Sequence, residues 1–253
     1  MPKRIHTFIG LMALSLSLSA CTPLLETRAA ANMASPSASG QAIPASPSKP
    51  PLSSDDPASD PSIRILVNKM RSLDADYAPD DLVRVDVPTV LKNEEVNQLR
   101  KEAADALKAL FAGAEIAGFK LYARSGYRSY QTQTALFAGY VKNHGEKEAN
   151  RFSAKAGQSE HQTGLAMDIT SDSVSLQLSE DFDDTQEGQW VREHAPEYGF
   201  IIRYPKDKED VTGYMYEPWH LRYLGAKLAT DVARSGLTYD EYVAKTENGG
   251  NPA

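Results

Sequence analysis

Residues 29–61 read AAANMASPSASGQAIPASPSKPPLSSDDPASDP, a run dominated by Pro, Ser and Ala with no aromatic residue. Such a stretch buries too little apolar surface to offset the entropy of ordering it. Its prolines keep it semi-extended. A packed core must therefore come from the chain outside this tract. On one side, Lys3 and Arg4 precede an apolar run from Phe8 to Ala20, which is short and Ser-rich for a membrane span and reads as an export signal. On the other side lie residues 62–246, long enough for one sizeable domain, followed by a short tail, 247–253, expected to be disordered. The overall balance of 41% hydrophobic and 24% charged residues is that of an ordinary globular chain.

The single cysteine, Cys21, directly follows Leu18-Ser19-Ala20. Ordinary export cleavage after Ala20 would want a small residue at position 18, where leucine stands. The run LSAC instead resembles a bacterial lipobox, which implies cleavage before Cys21 and a lipid thioether on its sulfur. A lone cysteine also excludes an intramolecular disulfide. Residues 1–20 are thus expected to be a lipoprotein signal peptide. Residues 21–61 become a lipid-anchored tether that gives the domain reach on the extracytoplasmic side of the bacterial envelope. The formal net charge of −7 offers no sign of the basic patch that nucleic-acid binders carry. Nothing in the pattern suggests an apolar partner surface, so a monomer is expected.

Within the domain, IRILVNK (Ile63–Lys69) and LVRVDV (Leu82–Val87) read as short extended segments separated by turn residues at Pro79–Asp81. Asn93 is the expected cap of a helix carrying Leu99, Ala103, Ala106 and Leu110 on one face and ending at Gly113 or Gly118. FKLYARS alternates as a strand does. A helix capped at Ser129 follows, with Leu136, Phe137 and Val141 inward, then a short one from Glu146 to Ala154. Leu165–Thr170 after Gly164 reads as a strand, Glu187–Tyr198 as a helix and GFIIRY as a buried strand. MYEPWHLRYL is a strand because Pro218 forbids a helix interior. Helices at Ala226–Ser235 and Thr238–Lys245 close the chain. The fold class is α+β, a small antiparallel sheet packed with several helices. No repeat, phosphate-binding glycine loop or Ser/His/Asp nucleophile motif is present.

Of the five histidines, His6 lies in the leader, His144 in a polar helix end and His194 on a helix beside Tyr198, where packing is the simpler role. His161 and His220 stand in richer company. His161 precedes Asp168 by seven residues in SEHQTGLAMDI, and His220 follows Glu217 by three in EPWH. A hydrolytic zinc takes three protein ligands and leaves one position for water, and a carboxylate outside the ligand set moves the water's proton. Two His, one Asp and a spare Glu meet that requirement. Gly164 lets the chain reverse between His161 and Asp168. Glu217 and His220 would fall on opposite faces of an ideal strand, so a twist or bulge at Pro218 is needed.

The stretches SGYRSYQTQ (125–133), SEHQTGLAMDI (159–169), YGFIIRYP (198–205) and YEPWHLRY (216–223) together resemble, in order and spacing, the VanY-like D-alanyl-D-alanine carboxypeptidases. These are zinc peptidases that trim peptidoglycan stem peptides, some of them L,D-carboxypeptidases. The resemblance covers most of residues 62–235. It implies a single zinc peptidase domain with Zn²⁺ bound by His161, Asp168 and His220, Glu217 as catalytic base, and Arg128, Gln133 and Ser159 as substrate contacts. A guanidinium fork suits a terminal carboxylate and equally suits a developing oxyanion, so both roles stand for Arg128. Tyr127, Tyr216 and Trp219 are candidates for the pocket wall. The implied activity is release of a C-terminal D-alanine. The alternatives are an endopeptidase cutting within a crosslink and a binding lipoprotein that recognises stem peptides without cutting them. Preference between a D,D and an L,D bond is not legible in any one side chain.

Overall fold

The computed structural model describes residues 62–250. The export signal, Cys21 with its lipid, and the tether lie outside the described residues. Among the described residues no helix is long and apolar enough to cross a membrane.

A hairpin of β1 (Leu82–Arg84) and β2 (Gln98–Arg100) leads directly into α1 (Lys101–Ile116). This differs from a helix starting at Asn93. The Asn93 Oδ1 accepts from the Glu95 backbone N–H in a local turn, as Asn side chains often do. Glu95, which looked like a first-turn acid, instead accepts from the Ser129 N–H and the Thr132 hydroxyl at the start of α2. Residues 98–100 are taken by pairing with β1. The segment 63–69 forms no regular strand. The carbonyls of Ile63 and Ile65 accept from the Arg222 guanidinium rather than from a neighbouring strand.

β3 (Tyr122–Ser125) precedes α2 (Tyr130–His144), whose Ser129 cap accepts from the Thr132 N–H as expected. Leu136, Phe137 and Val141 on α2 are half-buried. α3 (Glu146–Phe152) packs beside α2. After β4 (Ala166–Thr170) come α4 (Gln186–His194), a 3₁₀ turn at Ala195–Tyr198, β5 (Phe200–Tyr204), the single turn α5 (Glu209–Thr212) and β6 (Glu217–Tyr223). Pro196, which cannot donate a backbone hydrogen bond, marks where the expected Glu187–Tyr198 helix changes to 3₁₀. α6 (Ala226–Ser235) and α7 (Tyr239–Glu247) complete the fold. α7 carries a full capping box, Thr238 with Glu241. It runs into the stretch expected to be tail, where Glu247 takes a bidentate contact from Arg71 at 2.8 and 2.7 Å.

The main sheet has the order β3-β4-β6-β5, antiparallel throughout. β4 and β6 are its central strands. Along β4, alternate residues part to opposite faces. Leu165, Met167 and Ile169 join Leu107, Leu110 and Phe111 of α1 and Leu221 of β6 in the main core. Ala166, Asp168 and Thr170 are left for the other face. A smaller cluster joins α6 and α7 through Leu228, Val232, Tyr239 and Tyr242 to Leu66 and Ile201.

Candidate active site

Three devices bring the chemistry together. The first is strand register: Asp168 of β4 lies directly opposite His220 of β6. The second is the turn between His161 and β4. His161 sits on a 3₁₀ turn, Glu160–Thr163, capped by Gly164 in the left-handed region (φ 66°, ψ 15°). A side chain at Gly164 would also meet Leu82 Cδ2 at 2.8 Å. Glycine at this position is therefore favoured chiefly by conformation, with the crowding by Leu82 and Arg100 adding to it. The third is a bulge. Ile202 pairs with Leu221 while Tyr204 pairs with Glu217. Three residues of β6, Pro218 to His220, thus lie opposite one of β5, Arg203, an excess of two. That irregularity brings Glu217 Oε2 to 3.6 Å from His220 Nδ1, as the spacing of EPWH required.

The ligand atoms offered by His161, Asp168 and His220 all lie within 4.8 Å of one another, and all three residues are buried. His161 Nδ1 donates to the Gly126 carbonyl at 2.7 Å, which leaves Nε2 with its lone pair, 3.5 Å from Asp168 Oδ2. His220 Nδ1 lies 3.1 Å from Asp168 Oδ1. The two imidazole rings stand nearly perpendicular, 83° apart, with centroids 4.9 Å apart. Asp168 Oδ1 is buried and makes no well-formed hydrogen bond although His220 Nδ1 stands 3.1 Å away, a costly arrangement unless a cation sits between the two. Two imidazoles and a carboxylate are the donor set of a zinc-like divalent ion. The residues present fit such an ion.

The electrostatics follow the same layout. Burial, reinforced by the Arg128 charge, lowers His161 to about 3. Burial acts against the Asp168 anion, but His161, His220 and Arg128 outweigh it and hold the carboxyl at about 2. Burial likewise opposes a His220 cation, yet Asp168 and Glu160 raise it to about 9. Glu217 is pushed up to about 8, chiefly by burial and further by the Asp168 charge. It is the carboxylate of the group best suited to receive a proton near neutral pH.

The cavity over these groups holds about 310 Å³. Arg128, Ser159 and Glu217 line it beside the three candidate ligands, and Leu136, Tyr140, Phe152 and Trp219 add apolar wall. The Arg128 Nε is buried without a partner, and its Nη1 makes only a long contact, 3.5 Å, to Ser125 Oγ. Gln133 lies behind the wall. Its amide nitrogen donates to the Ala154 carbonyl at 2.6 Å, and Ser153 and Ala154 are the residues that face the cavity. Of the three aromatic candidates, Trp219 lines the cavity. Tyr127 and Tyr216 do not, and Tyr204 and Tyr214 do. Tyr127 is held by the hairpin, its N–H donating to the Gln98 carbonyl. His194 pairs with Glu197 at 3.1 Å and packs on Trp190, as the simpler reading held.

The sequence reading missed Glu160 and its two arginines. Glu160 is fully buried between Arg203 and Arg222, at 2.7 and 2.8 Å. A partial signal was available on the arginine side: Arg203 interrupts the apolar run of β5, and a buried arginine requires a partner.

The family profile described as VanY, D-alanyl-D-alanine carboxypeptidase, matches residues 96–226. A putative carboxypeptidase of Bacillus subtilis, YodJ, is 49% identical over 187 residues, which are 74% of this chain and 68% of that protein. Among solved structures, the LdcB LD-carboxypeptidase superposes with a TM-score of 0.70 at 49% identity, covering 75% of this chain and 87% of that one. The vancomycin-resistance D,D-pentapeptidase VanY in complex with Zn(II) superposes with a TM-score of 0.59 at 31% identity, covering 72% and 99%.

Proposed function

The chain belongs to the VanY family of D-alanyl-D-alanine carboxypeptidases, and on that premise we propose that it releases the C-terminal D-alanine of peptidoglycan stem peptides, using a zinc ion held by His161, Asp168 and His220. The observation that carries the reading is convergence: three ligand atoms, a buried carboxylate of raised basicity and an under-used guanidinium meet in one cavity. A zinc ion there would polarise the scissile carbonyl and acidify the attacking water. Glu217 takes that water's proton on its carboxylate and hands it to the leaving amine. Arg128 binds anionic oxygen, either of the terminal carboxylate or of the tetrahedral carbon's oxyanion. The Ser159 hydroxyl contacts the peptide, and Gln133 holds the wall at Ser153–Ala154 in place. The apolar side of the cavity excludes water around the reacting bond.

Similarity to both an L,D-carboxypeptidase and a D,D-pentapeptidase supports the narrower statement, D-alanine release from the chain end. The test is mass spectrometry of purified muropeptides incubated with the zinc-loaded protein. The expected products are stem peptides shorter by one terminal alanine, with crosslinks intact. Cleaved crosslinks would replace the exopeptidase with an endopeptidase, and unchanged muropeptides would leave only a binding role. Rates on pentapeptide against tetrapeptide stems assign the D,D or L,D preference.

We also propose that the chain is exported and lipid-anchored at Cys21, on the strength of the Phe8–Ala20 run and the LSAC sequence. Cys21→Ser is expected to shift the protein from the membrane fraction to the soluble one. A variant still wholly in the membrane fraction would exclude this anchor.

A further inference from the structure

We propose that Glu160 is the positioning residue for His220, fixing which of its two ring nitrogens is free to bind the metal. The assignment rests on reading His220 as a ligand. His220 Nε2 lies 3.5 Å from Glu160 Oε2. Both atoms are buried, and neither has another hydrogen-bond partner. Two orphaned buried atoms of complementary chemistry, side by side, are explained most simply by each other. With a carboxylate at Nε2, the single proton of the neutral, metal-binding ring resides there and Nδ1 keeps its lone pair. Nδ1 is the nitrogen that faces Asp168 and Glu217. Ligating histidines are commonly oriented in this way by a carboxylate or carbonyl at the far nitrogen. His161 uses the second device, the Gly126 carbonyl.

The carboxylate is itself immobilised from behind. Its Oε1 receives Arg203 Nε at 2.7 Å and Arg222 Nη1 at 2.8 Å. Arg203 is tied in turn to Asp240 at 2.6 Å, and Arg222 to the carbonyls of Ile63 and Ile65, each at 2.8 Å. Burying two guanidiniums and one carboxylate is a poor route to stability alone, because desolvation offsets most of the attraction. The geometry gives the arrangement a further purpose: both arginine bonds fall on Oε1, which leaves Oε2 on the imidazole side, 3.5 Å from Nε2.

Glu160→Gln separates this role from charge balance. The two guanidiniums demand oxygen at the Oε1 position, so the amide NH₂ must occupy the other. There it donates to His220 Nε2 and drives the ring proton to Nδ1, the metal's nitrogen. We expect zinc affinity, measured by competition with a chromophoric chelator, to fall about 10–100-fold. Tyr239→Phe is the control. It removes the hydrogen bond from the Tyr239 hydroxyl to the Arg64 carbonyl and touches neither Glu160 Oε2 nor His220. It should lower the unfolding midpoint and leave zinc affinity unchanged. Wild-type zinc affinity in Glu160→Gln, or an equal loss in both variants, would overturn the assignment. Should Glu160→Gln fail to fold, NMR of isotope-labelled histidines in the zinc-loaded wild type decides. A slowly exchanging proton on His220 Nε2 supports the assignment, and a proton on Nδ1 with the metal at Nε2 refutes it. A wild-type protein that takes up no zinc fails differently: it overturns the ligand reading, and this assignment with it.

Discussion

Replacing Glu217 with alanine is expected to lower turnover by about 10²–10⁴-fold while zinc stays bound at the wild-type level. The argument is geometric first. The β6 bulge between Glu217 and Leu221 places Glu217 3.6 Å from a candidate ligand nitrogen, at the edge of the cluster that would hold the metal. The carboxylate is also suited to the task. Burial and the Asp168 charge push it up to about 8, so it accepts a proton far more readily than a solvated glutamate. His161, Asp168 and His220 form the candidate ligand set without it, so removal should spare the metal. Metal content by elemental analysis, alongside initial rates of alanine release, checks both halves. Wild-type turnover in Glu217→Ala would remove Glu217 from the mechanism, and loss of zinc would recast it as a ligand.

Arg128→Ala should lower kcat/KM by about 10²–10³-fold, again with zinc retained. Arg128 combines a buried Nε lacking a partner with a place on the cavity wall. An ordinary surface arginine would show neither. Steady-state kinetics also resolve the two roles. A rise in KM alone means that the guanidinium holds the terminal carboxylate in ground and transition state alike. A fall in kcat means that it acts on charge formed only in the transition state. Arg128→Lys keeps the charge but loses the fork, so a bidentate role predicts little rescue. Unchanged kinetics in Arg128→Ala would assign it to structure only.

The central strands and their cargo were legible because local pattern and tertiary role agree there. SEHQTGLAMDI carries the turn glycine, the strand alternation and two candidate ligands within one short stretch. The four motifs in order tied it to EPWH further along. Pro218 announced the irregularity that β6 indeed has. The start of α1 was not legible. Glu94 and Glu95 after an asparagine imitate a helix entrance, and only the structure shows Glu95 capping α2 instead. Glu160 was hidden for the same reason. Between a serine and a histidine it looks like a solvated charge, and its partners arrive 43 and 62 residues later. Sequence spacing says nothing about contacts that a sheet assembles across such separations. Gln133 carries its role over by motif alone: its amide nitrogen is engaged with the Ala154 carbonyl, while its buried Oε1 has no partner.

The most direct measurement repeats the muropeptide digestion with one preparation in three states: zinc-loaded, stripped by a chelator, and restored with zinc. Loss of one terminal alanine in the first and third states, and none in the second, is the predicted result. Alanine release at an undiminished rate by the stripped protein would contradict the account.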